Sequence, residues 1–183
     1  MNTTETKKPI FPAVKDGETF KIAGMEFIKF PSVNGQTPVV MKDLAFNSRF
    51  GDNNDLRSSV VLQKMTSEIL PKIIEAVGEE NLCTVKTDLT TLDGLTPYGT
   101  MESLISLPTL DFYRANVSIF DKHKPGCWWW LATPESAQPH DDPYWVVCVA
   151  PSGRINVDGY YIDDCGVRPF CIFKSSIFES SEE

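Results

Sequence analysis

All four tryptophans of the chain lie between Trp128 and Trp145. They sit in two short apolar runs, Cys127-Trp128-Trp129-Trp130-Leu131-Ala132 and Tyr144-Trp145-Val146-Val147-Cys148-Val149, set apart by Pro, Asp and Gly. Runs of this length, rich in aromatic and β-branched residues and bounded by turn formers, read as strands. Side chains alternate between the two faces of a strand. Trp129 therefore takes the core face as a structural residue, with Trp128 and Trp130 turned outward, or the reverse. Burying one indole stabilises by on the order of 3–5 kcal/mol. The segment calls for a compact antiparallel sheet around an aromatic core, with some aromatic surface left for solvent, a covering loop or a partner.

The rest of the chain frames that sheet. A length of 183 residues fits one domain that buries its core without disulfide staples. The 25 acidic residues outnumber the 17 Lys and Arg, for a formal net charge of −8. Direct nucleic-acid binding needs clustered cations, so it is disfavoured, and a basic protein partner fits the charge. Cys83, Cys127, Cys148, Cys165 and Cys171 are odd in number and contain no Cys-x-x-Cys spacing. With a polar Met1–Lys8 segment that lacks the apolar stretch of a signal peptide, this points to a cytoplasmic protein. No run reaches the length of a membrane span. Composition divides the chain into a polar lead (1–17), a single α+β domain (18–174) and an acidic tail (175–183).

Phe20, Ile22, Phe27 and Phe30 around Gly24 predict a hairpin, and Val39-Val40-Met41 a third strand. Ser58 or Ser59 caps a helix whose apolar stripe runs Leu62, Met65, Ile69, Ile73, Val77. Pro71 lacks an N–H and clashes with the preceding turn, so the spacing predicts two helices or a break near Ser67, closed by Gly78. A short helix opens at Pro108.

Several groups invite a chemical reading. Asp52-Asn53-Asn54-Asp55 fails as a calcium loop, because Arg57 and Gln63 stand where that loop needs Gly and Glu; turn chemistry at a helix entry accounts for it. His123 and Cys127 lack the second pair of a zinc site, and no nucleophile elbow or phosphate loop occurs. Cys127 with His140 is the one Cys–His combination to check in space. Neither a cofactor, a metal nor an enzyme activity is expected. Arg168, between Val167 and Pro169, needs a carboxylate or carbonyl partners if buried; Asp163, Asp164 or Asp111 would make a structural ion pair. The loops Ser136–Pro143 and Asp158–Cys165 carry Asp141, Asp142, Asp158, Asp163 and Asp164, flanked by Tyr144, Tyr160 and Tyr161. Acidic groups beside tyrosines suit a Lys- or Arg-rich protein surface.

Trp129-Trp130-Leu131, Pro134, Gly153 and Gly166-Val167-Arg168-Pro169, with the polar loop Gly51–Ser59 upstream, resemble an uncharacterised bacterial and phage domain family. That family looks like a branch of the C-type-lectin-like fold. The resemblance implies an α+β domain in which a small twisted antiparallel sheet packs two or three helices and loops at one sheet end form the ligand surface. Ala132-Thr133 departs from the Arg-Ser common in the family. The Glu-Pro-Asn and Trp-Asn-Asp motifs of calcium-dependent lectins are missing, so that activity does not carry over. The expectation is a non-enzymatic, phage- or prophage-encoded protein-binding module. Its candidate contacts are Trp128, Trp130, Asp141, Asp142, Tyr144, Asp158, Tyr160, Tyr161, Asp163 and Asp164. Two alternatives stand beside it: an inhibitor of a host defence nucleoprotein or nuclease, of the anti-CRISPR kind, and a virion or tail display component.

Overall fold

The computed structural model describes residues 8–179. The expected disorder of residues 1–7 and the acidic end of the tail, 180–183, lie outside the described residues. The chain opens with the expected hairpin, β1 (Thr19–Ile22) and β2 (Met25–Lys29), then β3 (Gln36–Met41) and the two-residue β4 (Phe46–Asn47). A helical stretch follows: α1 (Val60–Lys64), a wide π turn over Met65–Ile69, and α2 (Leu70–Val77). Next come β5 (Leu82–Cys83), β6 (Val85–Asp88) and β7 (Thr100–Ser103), then α3 (Leu110–Ala115) and α4 (Val117–Phe120). The last third supplies β8 (Trp129–Pro134), β9 (Trp145–Val149), β10 (Ile155–Gly159), β11 (Gly166–Val167) and β12 (Phe170–Lys174).

The fold is α+β, but it has more sheet than the sequence suggested. One five-stranded sheet runs β1-β2-β3-β12-β5, a second runs β10-β9-β8-β11-β4, and β6-β7 form a separate ribbon. The tryptophan strand β8 lies at the centre of the second sheet, antiparallel to β9 with Trp129 opposite Val149 and Pro134 opposite Val146. β11 joins it in parallel at Gly166, so that sheet is mixed.

Ser59 caps α1 as expected, its hydroxyl accepting from the Leu62 N–H. The predicted break near Ser67 is corrected: the helix runs on through the π turn, where the Leu70 N–H reaches back to the Met65 carbonyl. Pro71 then falls in the first turn of α2, where a missing N–H costs little. The loosened turn thus moves the proline to a tolerated position and keeps Met65, Ile69, Ile73 and Val77 on one buried stripe.

Two cores result. In the first, the α1–α2 stripe packs with Phe27, Val39 and Cys171 and continues to Trp130, Val146 and Cys148. In the second, Leu110, Tyr113 and Phe120 pack on Ile28, Val40, Trp129, Leu131, Val147 and Val149. Both faces of the tryptophan sheet are therefore covered. Strand alternation does send Trp129 and Trp130 into different cores, yet the outward position expected for Trp130 is wrong, because a second apolar layer covers that face too. Trp130 is 0% exposed, packs edge-on to Phe50 at 5.6 Å and donates its Nε1–H to the Ser48 carbonyl at 2.9 Å.

The domain limits at 18 and 174 also need correction. Phe11 packs on Phe20 at 4.9 Å, and the Phe11 N–H donates to the Ile177 carbonyl. Ile177 and Phe178 are buried, and Phe178 meets Phe20 edge-on. Glu179 and the serines around this segment dominate its composition, while the two apolar side chains close the floor of the first core.

Candidate functional site

Arg168 is nine-tenths or more buried and, among the described residues, has no carboxylate within 4.0 Å; the expected pairing with Asp163, Asp164 or Asp111 does not occur. Its Nε donates to the Met41 carbonyl at 3.0 Å, and its Nη2 to the carbonyls of Lys42 at 2.9 Å and His123 at 3.2 Å. The guanidinium carbon lies 4.6 Å from the Trp129 ring centroid. Burial pushes the guanidinium down to about 10, against the opposing pull of Asp43, so it stays charged at neutral pH. Arg168 ties the β3–β4 link to the segment before β8 from inside the core. It is a structural residue held by carbonyls.

The candidate surface lies at one end of the tryptophan sheet. Trp145 at the start of β9 pairs with Gly159 at the end of β10, and Pro134 closes β8 beside them. The loops 135–144 and 160–165 therefore leave from the same edge. Two further loops are fastened there. The Phe50 N–H donates to the Tyr160 carbonyl and the Leu92 N–H to the Pro134 carbonyl, both at 2.8 Å. Asn54 holds the junction: fully buried, it donates from Nδ2 to the carbonyls of Ser136 at 2.9 Å and Trp145 at 3.0 Å, and accepts from the Tyr98 hydroxyl at 2.7 Å. A buried amide with donors and acceptor both used is a rigid connector.

On this edge Tyr144, Trp145, Tyr160 and Tyr161 form one aromatic cluster. Tyr144 meets Trp145 at 4.6 Å, Tyr160 at 5.5 Å and Tyr161 at 5.6 Å, and Tyr160 meets Tyr161 at 5.9 Å, all edge-to-face. Trp145 is 36% exposed and Tyr161 51% exposed. The Tyr161 hydroxyl beside it, burial, and the neighbouring Tyr160 and Asp158 push the Tyr144 phenol up to about 12. The Tyr161 ring lies over Gly159, where an added Cβ would stand 2.6 Å from Cε1. Glycine is what lets the ring lie down on the strand end.

Around the cluster, Asp141, Asp142, Asp163 and Asp164 are exposed and Asp158 is half-buried. Among the described residues none of these five makes an ion pair within 4.0 Å. Two arginines of the 49–59 segment are engaged elsewhere, Arg49 with Asp52 at 2.7 Å and Arg57 with Asp55 at 2.8 Å.

Beside the platform is a cleft of about 310 Å³ lined by Leu92, Asp93, Glu135, Ser136, His140 and Asp141. Asp93 Oδ2 accepts from the Ser136 hydroxyl at 2.6 Å and meets His140 Nδ1 at 2.9 Å, while Oδ1 accepts from the Thr91 hydroxyl at 2.5 Å. These hydrogen bonds hold the Asp93 carboxyl far below its ordinary range. Burial, with Asp141 and Asp93 close by, pushes Glu135 up. The Asp93–His140 contact pins the loop that leads into Tyr144 and Trp145. Its serine bonds the carboxylate and not the imidazole, so no Ser–His nucleophile is assembled.

The structure thus gathers Tyr144, Tyr160, Tyr161 and the five aspartates on one edge and leaves out two expected members. Trp130 is in the core. Trp128 is 37% exposed, but it precedes β8, at the opposite end of the sheet from Trp145. Along β9, Trp145 and Val149 are four residue steps apart, about 13 Å. The Cys127–His140 combination fails for the same reason, with Cys127 before β8 and His140 beyond its other end. His123 Nε2 contacts the Gly17 carbonyl, and no cluster of three or more metal-ligating side chains occurs among the described residues. Sequence reasoning missed Trp145, Asn54 and the Asp93–His140 pair. Trp145 had a signal, as a strand-opening aromatic directly after an acidic loop. Asn54 and Asp93 had none, because their partners lie more than forty residues away along the chain.

Residues 103–175 match a family model described as Domain of unknown function (DUF6273). The matched segment covers less than half of the chain. It holds β8 to β12 with the whole aromatic cluster and its aspartates, and leaves out Asn54, Asp93 and Tyr98. No curated protein and no solved structure matches the chain.

Proposed function

We propose that the protein is a non-enzymatic protein-binding module that docks a basic protein surface on the Tyr144–Trp145–Tyr160–Tyr161 platform. The observation that carries this reading is a partly exposed aromatic cluster in loops that bear five carboxylates without a cationic partner among the described residues. Ring centroids 4.6–5.9 Å apart leave no slot for a small cation between the rings. Rings packed against one another in this way suit contact with the surface of a macromolecule better than a caged ammonium ligand. Tyr and Trp are enriched at interface centres, and uncompensated charge at the rim steers a partner of opposite sign. The same charge opposes a nucleic-acid backbone.

A phage or prophage source, a cytoplasmic setting and kinship with C-type-lectin-like domains belong to the proposal, resting on the sequence motifs. The acidic rim favours one sharper version, an inhibitor that occupies the basic channel of a host defence nucleoprotein. A display component of a virion or tail is the other reading, and it predicts trimeric or higher assembly. The direct test reverses charge at four exposed positions, Asp141→Lys, Asp142→Lys, Asp163→Lys and Asp164→Lys together. The native protein is expected to capture a basic partner from bacterial lysate at low salt and release it at high salt, with capture lost in the variant. Equal capture by both proteins refutes this surface.

A further inference from the structure

We infer that the platform selects arginine over lysine on its partner, with guanidinium groups laid on the open rings of Trp145 and Tyr161 and bonded to the adjoining aspartates. The inference rests on the docking reading above and names the chemistry of its recognition.

Three observations support it. First, the molecule already contains the arrangement once, next to this site. Arg57 lies 5.5 Å over the Tyr98 ring centroid while its Nε and Nη2 meet both oxygens of Asp55 at 2.8–3.2 Å. Tyr98 in turn donates to Asn54, the residue that anchors the Trp145 backbone. Second, the platform has the ring and carboxylate halves of that arrangement without the cation. Among the described residues, the cations that sit over rings use Phe178, Tyr98, Phe46, Phe120 and Trp129, and none uses Tyr144, Trp145, Tyr160 or Tyr161. In the loop Asp163 and Asp164 follow Tyr161 after Ile162, and Asp158 precedes the pair of tyrosines with Gly159 between.

Third, the packing within the cluster turns its rings in different directions. Interplanar angles of 71°, 62° and 89° mean that the rings meet edge to face, so the array offers ring faces along more than one direction. A guanidinium is planar, weakly hydrated and forked, so it stacks on a ring and bonds a carboxylate at once. A lysine ammonium also approaches rings, as Lys29 does over Phe178 and Lys64 over Phe46, but as a compact, strongly hydrated point charge it cannot lie flat on a ring and fork to a carboxylate at once.

The test uses the full chain and three octapeptides of one sequence in which four positions are all arginine, all lysine or all citrulline. They are titrated at 0.15 M salt, where diffuse attraction is screened beyond about 8 Å. The arginine peptide is expected to bind several-fold tighter than the lysine peptide, with about tenfold as the ceiling reached if two stacked guanidiniums gain the full exposed-site attraction and lysine gains none. Citrulline keeps the planar shape without the charge and is expected not to bind. In a Trp145→Ala/Tyr161→Ala variant, folded by circular dichroism, the arginine-to-lysine ratio is expected to fall to about one.

Equal affinity for the arginine and lysine peptides in the native protein overturns the inference. So does a preference that persists in the aromatic variant. If the two basic peptides bind equally and Asp163→Lys/Asp164→Lys abolishes both, arginine selection is wrong and the acidic docking surface stands. If no peptide binds and the charge-reversed protein still captures its partner, both readings fall.

Discussion

Replacing Arg168 with methionine tests whether a buried cation held only by carbonyls organises the core. The substitution keeps much of the apolar stem and removes three donated bonds, to Met41, Lys42 and His123. A hydrogen bond from a charged donor contributes about 1.5–3 kcal/mol, and a buried carbonyl left without a donor costs about 1–3 kcal/mol. Against this stands relief of the cost of burying a guanidinium, which an apolar side chain avoids. The Trp129 stack, at 4.6 Å to the ring centroid, is lost as well. The net expected loss for Arg168→Met is about 2–4 kcal/mol, because the Met41 carbonyl stays buried without its donor while those of Lys42 and His123 belong to half-buried residues. Arg168→Lys should fall between the two, since one Nζ keeps the charge but cannot reach both backbone segments at once. Urea unfolding followed by tryptophan fluorescence reads the midpoint and slope of each protein. As a contrast, Asp111→Asn, Asp163→Asn and Asp164→Asn should each stay within about 0.5 kcal/mol of the native protein. Arg168→Met within about 1 kcal/mol of the native protein would refute the reasoning. A large loss in any of the three Asn variants would mean that a carboxylate supports the arginine after all.

Phe178→Ala should destabilise by about 3–5 kcal/mol, a core-sized loss from a segment that reads as tail, measured by the same unfolding experiment. Gly159→Ala should leave stability almost unchanged yet weaken docking, because its Cβ displaces the exposed Tyr161 ring and no buried group; equal binding would show that the ring need not lie on the strand. Asp93→Asn should remove an acid-sensitive contribution. The Asp93 pKa is lower in the fold than in the unfolded chain, so its stabilisation is present above the ordinary value of 3.8 and is lost as pH falls through the folded value. The stability difference between native protein and Asp93→Asn should therefore be full at neutral pH and shrink in acid, and a difference independent of pH would rule out the carboxylate as its source.

Local chemistry was legible where neighbours in sequence settle it. The hairpin around Gly24, the Ser59 cap, the Gly78 stop and the strands β8 and β9 follow from periodicity and turn formers, which act over a few residues. The acidic and tyrosine-bearing loops were legible for the same reason, since the loops announce themselves by composition. The boundaries at 18 and 174 misled because composition averages the short apolar run 10–14 with the charged residues around it, and Ile177 and Phe178 with the serines and glutamates beside them.

Residue order is enough to call for an aromatic sheet that organises the chain, with tyrosines and aspartates in its loops. Which end of the sheet those loops share, and which tryptophan reaches solvent, depends on how the layers pack. Alternation along a strand says that Trp129 and Trp130 face opposite ways, but how many faces are covered depends on α1–α2 on one side and α3–α4 on the other. Packing likewise decides that Arg168 meets carbonyls, that Asn54 anchors Trp145, and that His140 finds Asp93. Each of these contacts joins residues 45 or more positions apart. Their partners are chosen by how the sheets and helices pack, a choice to which local propensity is blind.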